Sequence, residues 1–190
     1  MIRLLAASFV LVAFVAASLF REPLPLTVEH IEMMAKKAPG PNPNSAVCLD
    51  VNFNYCQARF SESIGLDASV NWKQAKTILK RLALLTNYNE TSLLTVCANR
   101  AKFYNCLGAQ YYKCVSLYNL YPKSNGIDDI NSAYTYVDTM TSADFICNSG
   151  FEEGVNQYRC LGSVTNEPSY MACAQTWNNS LINHDKPFCE

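Results

Sequence analysis

Apolar residues recur at three- and four-residue steps along most of this chain, whereas the strict alternation of a half-buried strand is scarce. The clearest case is 71–86, where Trp72, Ala75, Ile78/Leu79, Leu82 and Leu85 fall on one face and Asn71 or Ser69 can cap the start. Over 46–64, Cys48, Val51, Tyr55, Phe60 and Ile64 have compatible spacing. Residues 91–107 place Leu94, Cys97, Ala101, Tyr104 and Leu107 inward, with a pattern that can extend to Leu120. Asp128 can open a helix to about Met140, with Ile130, Tyr134 and Val137 facing the core. Thr141-Ser142-Ala143-Asp144 resembles a capping box that starts another. Pro168 suits the first position of a last helix over Ser169–Leu181. The expectation is an all-α fold, a disulfide-crosslinked bundle of five or six helices.

The ends of the chain read differently. Arg3, the apolar run Leu4–Val15 and the small residues Ala16, Ala17 and Ser18 match a secretory signal peptide over 1–18. The competing reading is a short membrane anchor, since the apolar run continues to Phe20. Residues 19–44 read as a peripheral N-terminal segment. Thr27 can cap a short helix to Ala38, with Val28, Ile31 and Met34/Ala35 on one face, before the breaker Pro39-Gly40-Pro41-Asn42-Pro43-Asn44. The cysteine-rich helical domain is then 45–190.

Composition narrows the class. The chain has 190 residues, 49% hydrophobic and 16% charged, with a formal net charge of −1. That is too apolar for a disordered chain and too neutral for a general nucleic-acid binder. Nine cysteines indicate an oxidising compartment. Their spacing lacks the close pairs that set two thiolates on one zinc ion. Structural disulfides are therefore expected among Cys48, Cys56, Cys97, Cys106, Cys114, Cys147, Cys160 and Cys173. Cys189 is the candidate odd thiol, free or joined to another chain in a disulfide-linked dimer.

Helix geometry restricts the pairing. Nine residues of helix span about 13 Å, whereas bridged Cα atoms lie within about 7 Å. Cys97–Cys106, Cys106–Cys114 and Cys48–Cys56 are thereby excluded along continuous helices, so bridges must run between helices. The pairing itself stays open at this level. Asn89-Glu90-Thr91 and Asn178-Asn179-Ser180 are acceptor sequons, making Asn89 and Asn178 candidate glycosylation sites.

A weak repeat accompanies the cysteines. Tyr104-Asn105-Cys106-Leu107-Gly108 echoes Tyr158-Arg159-Cys160-Leu161-Gly162, each with a preceding cysteine and a following Tyr-x-x-Cys. The series from Leu94 to Trp177 reads LTVC-x8-CLGAQYYKC, then DFIC-x12-CLGSV, then YMAC. It resembles the secreted cysteine-rich helical domains of nematodes, namely the chondroitin-proteoglycan-type cysteine domain and a related domain of unknown function. The resemblance covers about half the chain. It implies a helical extracellular domain and carries over no catalytic residue. Ser149-Gly150 is the only Ser-Gly pair, so the tracts that bear glycosaminoglycan chains are missing.

No nucleophile elbow, zinc-protease helix, P-loop or dinucleotide glycine pattern is present. The two histidines, His30 and His184, lie near opposite ends and read as exposed polar residues. Asp128-Asp129 and Glu152-Glu153 read as compensation of helix dipoles. No catalytic, cofactor-binding or metal-ligating residue is assigned. Charge is uneven, with nine basic and three acidic residues over 59–123 and two basic and nine acidic over 124–190. Lys73, Lys76, Lys80 and Arg81 are candidate contacts for an anionic partner, against the plainer reading of a solvated face balanced by the acidic half. Tyr104, Tyr111, Tyr112, Tyr118 and Tyr121 read as a core face with a rim, or as the lining of a pocket.

The functional expectation is a secreted, disulfide-stabilised binding or structural module without catalytic activity, contacting an extracellular protein or glycan. The alternative is a carrier of a small hydrophobic ligand.

Overall fold

A computed structural model describes residues 19–23, 26–37, 47–86 and 90–157, with 160, 164, 167–170, 172–173 and 175–176. The proposed signal segment, the proline-rich breaker, Asn89, Asn178, His184 and Cys189 lie outside the described residues.

The described chain is all-α. Five helices have ten or more residues: α1 (Val28–Lys37), α2 (Asp50–Ser63), α3 (Ala75–Thr86), α4 (Glu90–Leu107) and, after the single turns α5 (Tyr111–Cys114) and α6 (Leu117–Leu120), α7 (Ile127–Cys147). A short α8 (Phe151–Asn156) follows. Helix α2 packs on α4, and α3 packs on α7 and α4. Phe53, Phe60, Ile64, Trp72, Ile78, Leu82, Phe103, Tyr111, Tyr136 and Met140 fill the space between them.

Three disulfides join these elements: Cys48–Cys114, Cys56–Cys106 and Cys97–Cys147, with Cα separations of 4.9, 5.8 and 5.2 Å. None joins two positions of one helix, as the rise per residue requires. Helix α4 carries two of them, one to α2 and one to α7. Of the other cysteines expected in bridges, Cys160 and Cys173 occupy exposed positions.

Helix α3 has the expected face, with Trp72, Ala75, Ile78, Leu79 and Leu82 buried. Asn71 caps its 3₁₀ entry in a reciprocal capping box with Gln74. Three other faces are rotated from expectation. On α2, Val51 and Tyr55 are exposed, and Phe53, Cys56, Gln57 and Phe60 point inward. This set also keeps three- and four-residue steps, and the Cys56–Cys106 bridge turns it toward α4. On α4, Leu94 and Ala101 are exposed and Leu93, Val96, Arg100 and Phe103 are buried. On α7, Ala133, Tyr136, Met140 and Ala143 form the buried face, leaving Ile130, Tyr134 and Val137 half-buried. The buried Tyr136 hydroxyl donates to Gln57 Oε1, whose amide donates to Ser61 Oγ at 3.3 Å. Two polar side chains on the inward face of α2 thus satisfy one another and a tyrosine.

Two boundaries also differ. The pattern over 91–107 does not continue to Leu120, because the chain turns at Gly108, whose φ is +54°. That turn lets Cys114 reach Cys48 and allows a fresh start at Ser116, whose hydroxyl caps α6. Conversely, Thr141–Asp144 opens no new helix, and α7 runs unbroken to Cys147. The Asp144 carboxylate is engaged by Arg100 and Tyr111, side chains of α4 and α5. Helix α7 begins after Gly126, with Asp128 and Asp129 in its first turn, where carboxylates oppose the helix dipole.

The segment before the breaker is less peripheral than its composition suggests. Phe20 belongs to the main core, Ile31 and Ala35 are buried, and α1 lies against α6 and α7. Thr27 caps α1, its Oγ1 accepting from the His30 backbone N–H at 3.4 Å and lying 2.7 Å from His30 Nδ1. In the last described stretch, 168–170, 172–173 and 175–176 are helical, in agreement with a start at Pro168.

Candidate functional site

Two clefts open on helix α4. The first is the groove between α2 and α4, with a volume of about 400 Å³. The helices run antiparallel here, since Cys56 meets Cys106, Phe60 meets Phe103, and Asn99 Nδ2 donates to the Ser63 carbonyl at 2.9 Å. Phe60 and Phe103, with ring centroids 5.0 Å apart, form an apolar floor. The disulfide lies toward one end and the Ser63–Asn99 bond toward the other. The same register sets Arg59 and Lys102 at facing positions across the groove. Both are exposed, and among the described residues no carboxylate lines the groove.

The second cleft, of about 590 Å³, lies on another side of α4, between it, α5 and the end of α7. Tyr104, Tyr112 and Phe145 line it together with Arg100, Tyr111 and Asp144. Arg100 Nε donates to Asp144 Oδ1 at 2.5 Å, and the Tyr111 hydroxyl donates to the same oxygen at 2.8 Å. The guanidinium also lies 5.0 Å and 5.1 Å from the Tyr104 and Tyr111 ring centroids, a cation–π arrangement. Burial alone would lower the Arg100 pKa, but the Asp144 hydrogen bond and nearby charge hold it above its ordinary value. Burial, then the Asp144 charge, push the Tyr111 hydroxyl well up. The cleft is therefore neutral and aromatic, and its ionised groups serve each other.

The tyrosine cluster divides between core and rim. Tyr111 is fully buried, Tyr104 half-buried, and Tyr112 and Tyr118 exposed. Of the basic stripe, Lys73 pairs with Asp129 of α7 at 2.6 Å. Arg81 Nε donates to the Ile64 carbonyl at 2.6 Å, closing the turn after α2. Lys76 and Lys80 remain exposed. The basic and acidic halves of the chain thus pair with one another, at the surface through Lys73–Asp129 and in a largely buried contact through Arg100–Asp144. Among the described residues, no cluster of three or more His, Cys, Asp or Glu could hold a metal ion. No helix among them is long and apolar enough to cross a membrane.

Neither Arg59 and Lys102 nor the Arg100–Asp144 pair stands out in the sequence. Arg59 and Lys102 belong to different helices and meet only through the α2–α4 register. Arg100 and Asp144 are 44 positions apart. Net charge gave no local sign either, since α2 and α4 together carry three basic and three acidic residues.

No family model, curated protein or solved structure matches this chain.

Proposed function

We propose that this protein is a secreted, disulfide-braced binding module that contacts an extracellular protein or glycan and performs no catalysis. One observation carries the reading: α4, fastened by bridges to α2 and to α7, forms a wall of both solvent-open clefts. A binding surface gains affinity when its walls are already fixed, since less ordering is needed on association. Three disulfides within the chain suit an oxidising compartment. The apolar stretch at 4–15, read as a signal peptide, and the cysteine series similar to secreted nematode domains support the same setting. The absence of catalysis is supported by the engagement of Asp144 with Arg100 and Tyr111 and by His30 lying at the start of α1.

Carriage of a small hydrophobic ligand is the second reading, favoured by the apolar Phe60–Phe103 floor. The test is expression of the full chain in secretory cells. Oxidised protein in the medium, with its N-terminus processed near Ser18, is the expected result. Immobilised, it should then retain a specific component of extracellular fluid or matrix. Retention inside the cell with reduced cysteines would overturn the reading. A heparin column separately probes Lys73, Lys76, Lys80 and Arg81, and flow-through at low salt would remove them as an anionic-glycan contact.

A further inference from the structure

We infer that the α2–α4 groove is a binding site for a small amphipathic anion, an apolar body bearing a carboxylate, sulfate or phosphate. The floor is apolar, formed by Phe60 and Phe103, and the exposed ring of Tyr55 extends it toward the surface. A volume near 400 Å³ lies in the range of small-molecule sites, about 300–1,000 Å³.

Charge decides which molecule fits. Lys36, Lys73, Arg100 and Lys123 each have a carboxylate partner, on Glu32, Asp129, Asp144 and Asp50. Arg59 and Lys102 have none among the described residues, and they face one another across the groove. Glu62, the acidic residue nearest Arg59 in sequence, does not line it. Two like charges over a low-dielectric floor repel each other and focus a positive potential. A single anionic group between them relieves that repulsion and gains charge-assisted hydrogen bonds from both sides. An apolar body alone would leave the cations unmatched, and an inorganic anion alone would leave the floor wet.

The bridge keeps the site formed. Cys56–Cys106 links the two walls beside Phe60 and Phe103, and the Asn99–Ser63 hydrogen bond links them again further along. This inference requires only the folded, oxidised chain. Intracellular retention would therefore sink the secretory reading and leave the groove standing, while a groove without affinity would leave secretion standing.

The probe is anilinonaphthalene sulfonate, titrated into oxidised full-length protein by calorimetry and fluorescence. Saturable one-to-one binding is expected, with amide shifts in NMR spectra confined to α2 and α4. Arg59→Gln and Lys102→Gln should each weaken binding about ten-fold, the loss expected for one charge-assisted hydrogen bond. Both side chains are exposed, so the variants should retain the native circular dichroism spectrum. Lys113→Gln, on α5 and outside the groove, should leave binding unchanged. The uncharged analogue phenylnaphthylamine should bind about ten-fold more weakly or worse, and inorganic sulfate should not compete at millimolar concentration. Equal binding of the uncharged analogue, or insensitivity to both groove substitutions, would overturn the inference.

Discussion

Replacing Asp144 with alanine isolates the energetics of the Arg100 cluster. The Arg100 side chain is only 7% exposed, whereas that of Asp144 is 18% exposed. Asp144→Ala therefore leaves a guanidinium fixed in charge and buried against Tyr104 and Tyr111 with its carboxylate gone. It also removes the acceptor of the Tyr111 hydroxyl, on a residue that is fully buried. One Arg100 nitrogen, Nη2, is already buried without a hydrogen-bond partner among the described residues, so the guanidinium has little else to turn to. Breaking a buried pair by removing one partner costs about 3–5 kcal/mol. At roughly 2–4 °C per kcal/mol for a chain of this size, the melting temperature should fall by about 6–20 °C. Arg100→Met alone should cost less, because the more exposed Asp144 can recover water. The double variant, Arg100→Met with Asp144→Ala, should be more stable than Asp144→Ala alone, since no charge is left buried. Thermal and urea unfolding at neutral pH under oxidising conditions, followed by far-ultraviolet circular dichroism, measures all three. If Asp144→Ala costs under about 1 kcal/mol, or if the double variant is no better than it, the argument from burial fails.

Three other perturbations follow from the fold. Replacing both Cys97 and Cys147 by alanine opens a loop spanning 50 positions and should cost about 4 kcal/mol in urea unfolding by chain-closure entropy; a loss under about 1 kcal/mol would refute the chain-closure reasoning. Burial raises the Asp138 carboxyl above its ordinary value of 3.8, so the folded state binds a proton more readily than the unfolded state. Stability from this group is full below that value and is lost as pH rises through the raised pKa. Asp138→Asn should therefore raise the melting temperature at pH 7, with the gain vanishing below about pH 3.8, and an equal gain at both pH values would refute the assignment. Gly65 has φ +76°, and a Cβ there would come within 2.7 Å of Arg81 Nη2. Gly65→Ala should cost about 1–2 kcal/mol in urea unfolding, and an unchanged midpoint would contradict this.

Helix periodicity was legible because it is local. The spacing over 71–86 yields both the buried face and the cap of α3, where Trp72 through Leu82 are purely apolar inward positions and Asn71 and Gln74 are neighbours. On α2, α4 and α7 the inward face includes polar residues, and apolar residues also lie outside it. Val51 is 85% exposed while Gln57 is 1% exposed, an inversion that no hydrophobicity pattern reveals. Gln57 is buried because Tyr136 and Ser61 satisfy it, and Arg100 because Asp144 and two tyrosine rings receive it. The clefts share this difficulty, since each is built from residues on different helices.

By itself, the sequence determined the all-α class, the presence of the main helices and the rule that bridges run between helices. Each follows from residue periodicity, capping chemistry and the rise of a helix, which act within a few residues. The tertiary structure decided the rotation of α2, α4 and α7, the turn at Gly108, the continuity of α7 and the pairing of six cysteines. It also decided that Arg59 and Lys102 face each other while Arg100 and Asp144 pair. Those outcomes depend on which distant groups satisfy a buried donor, acceptor or charge, and the packed fold alone brings them within hydrogen-bonding distance.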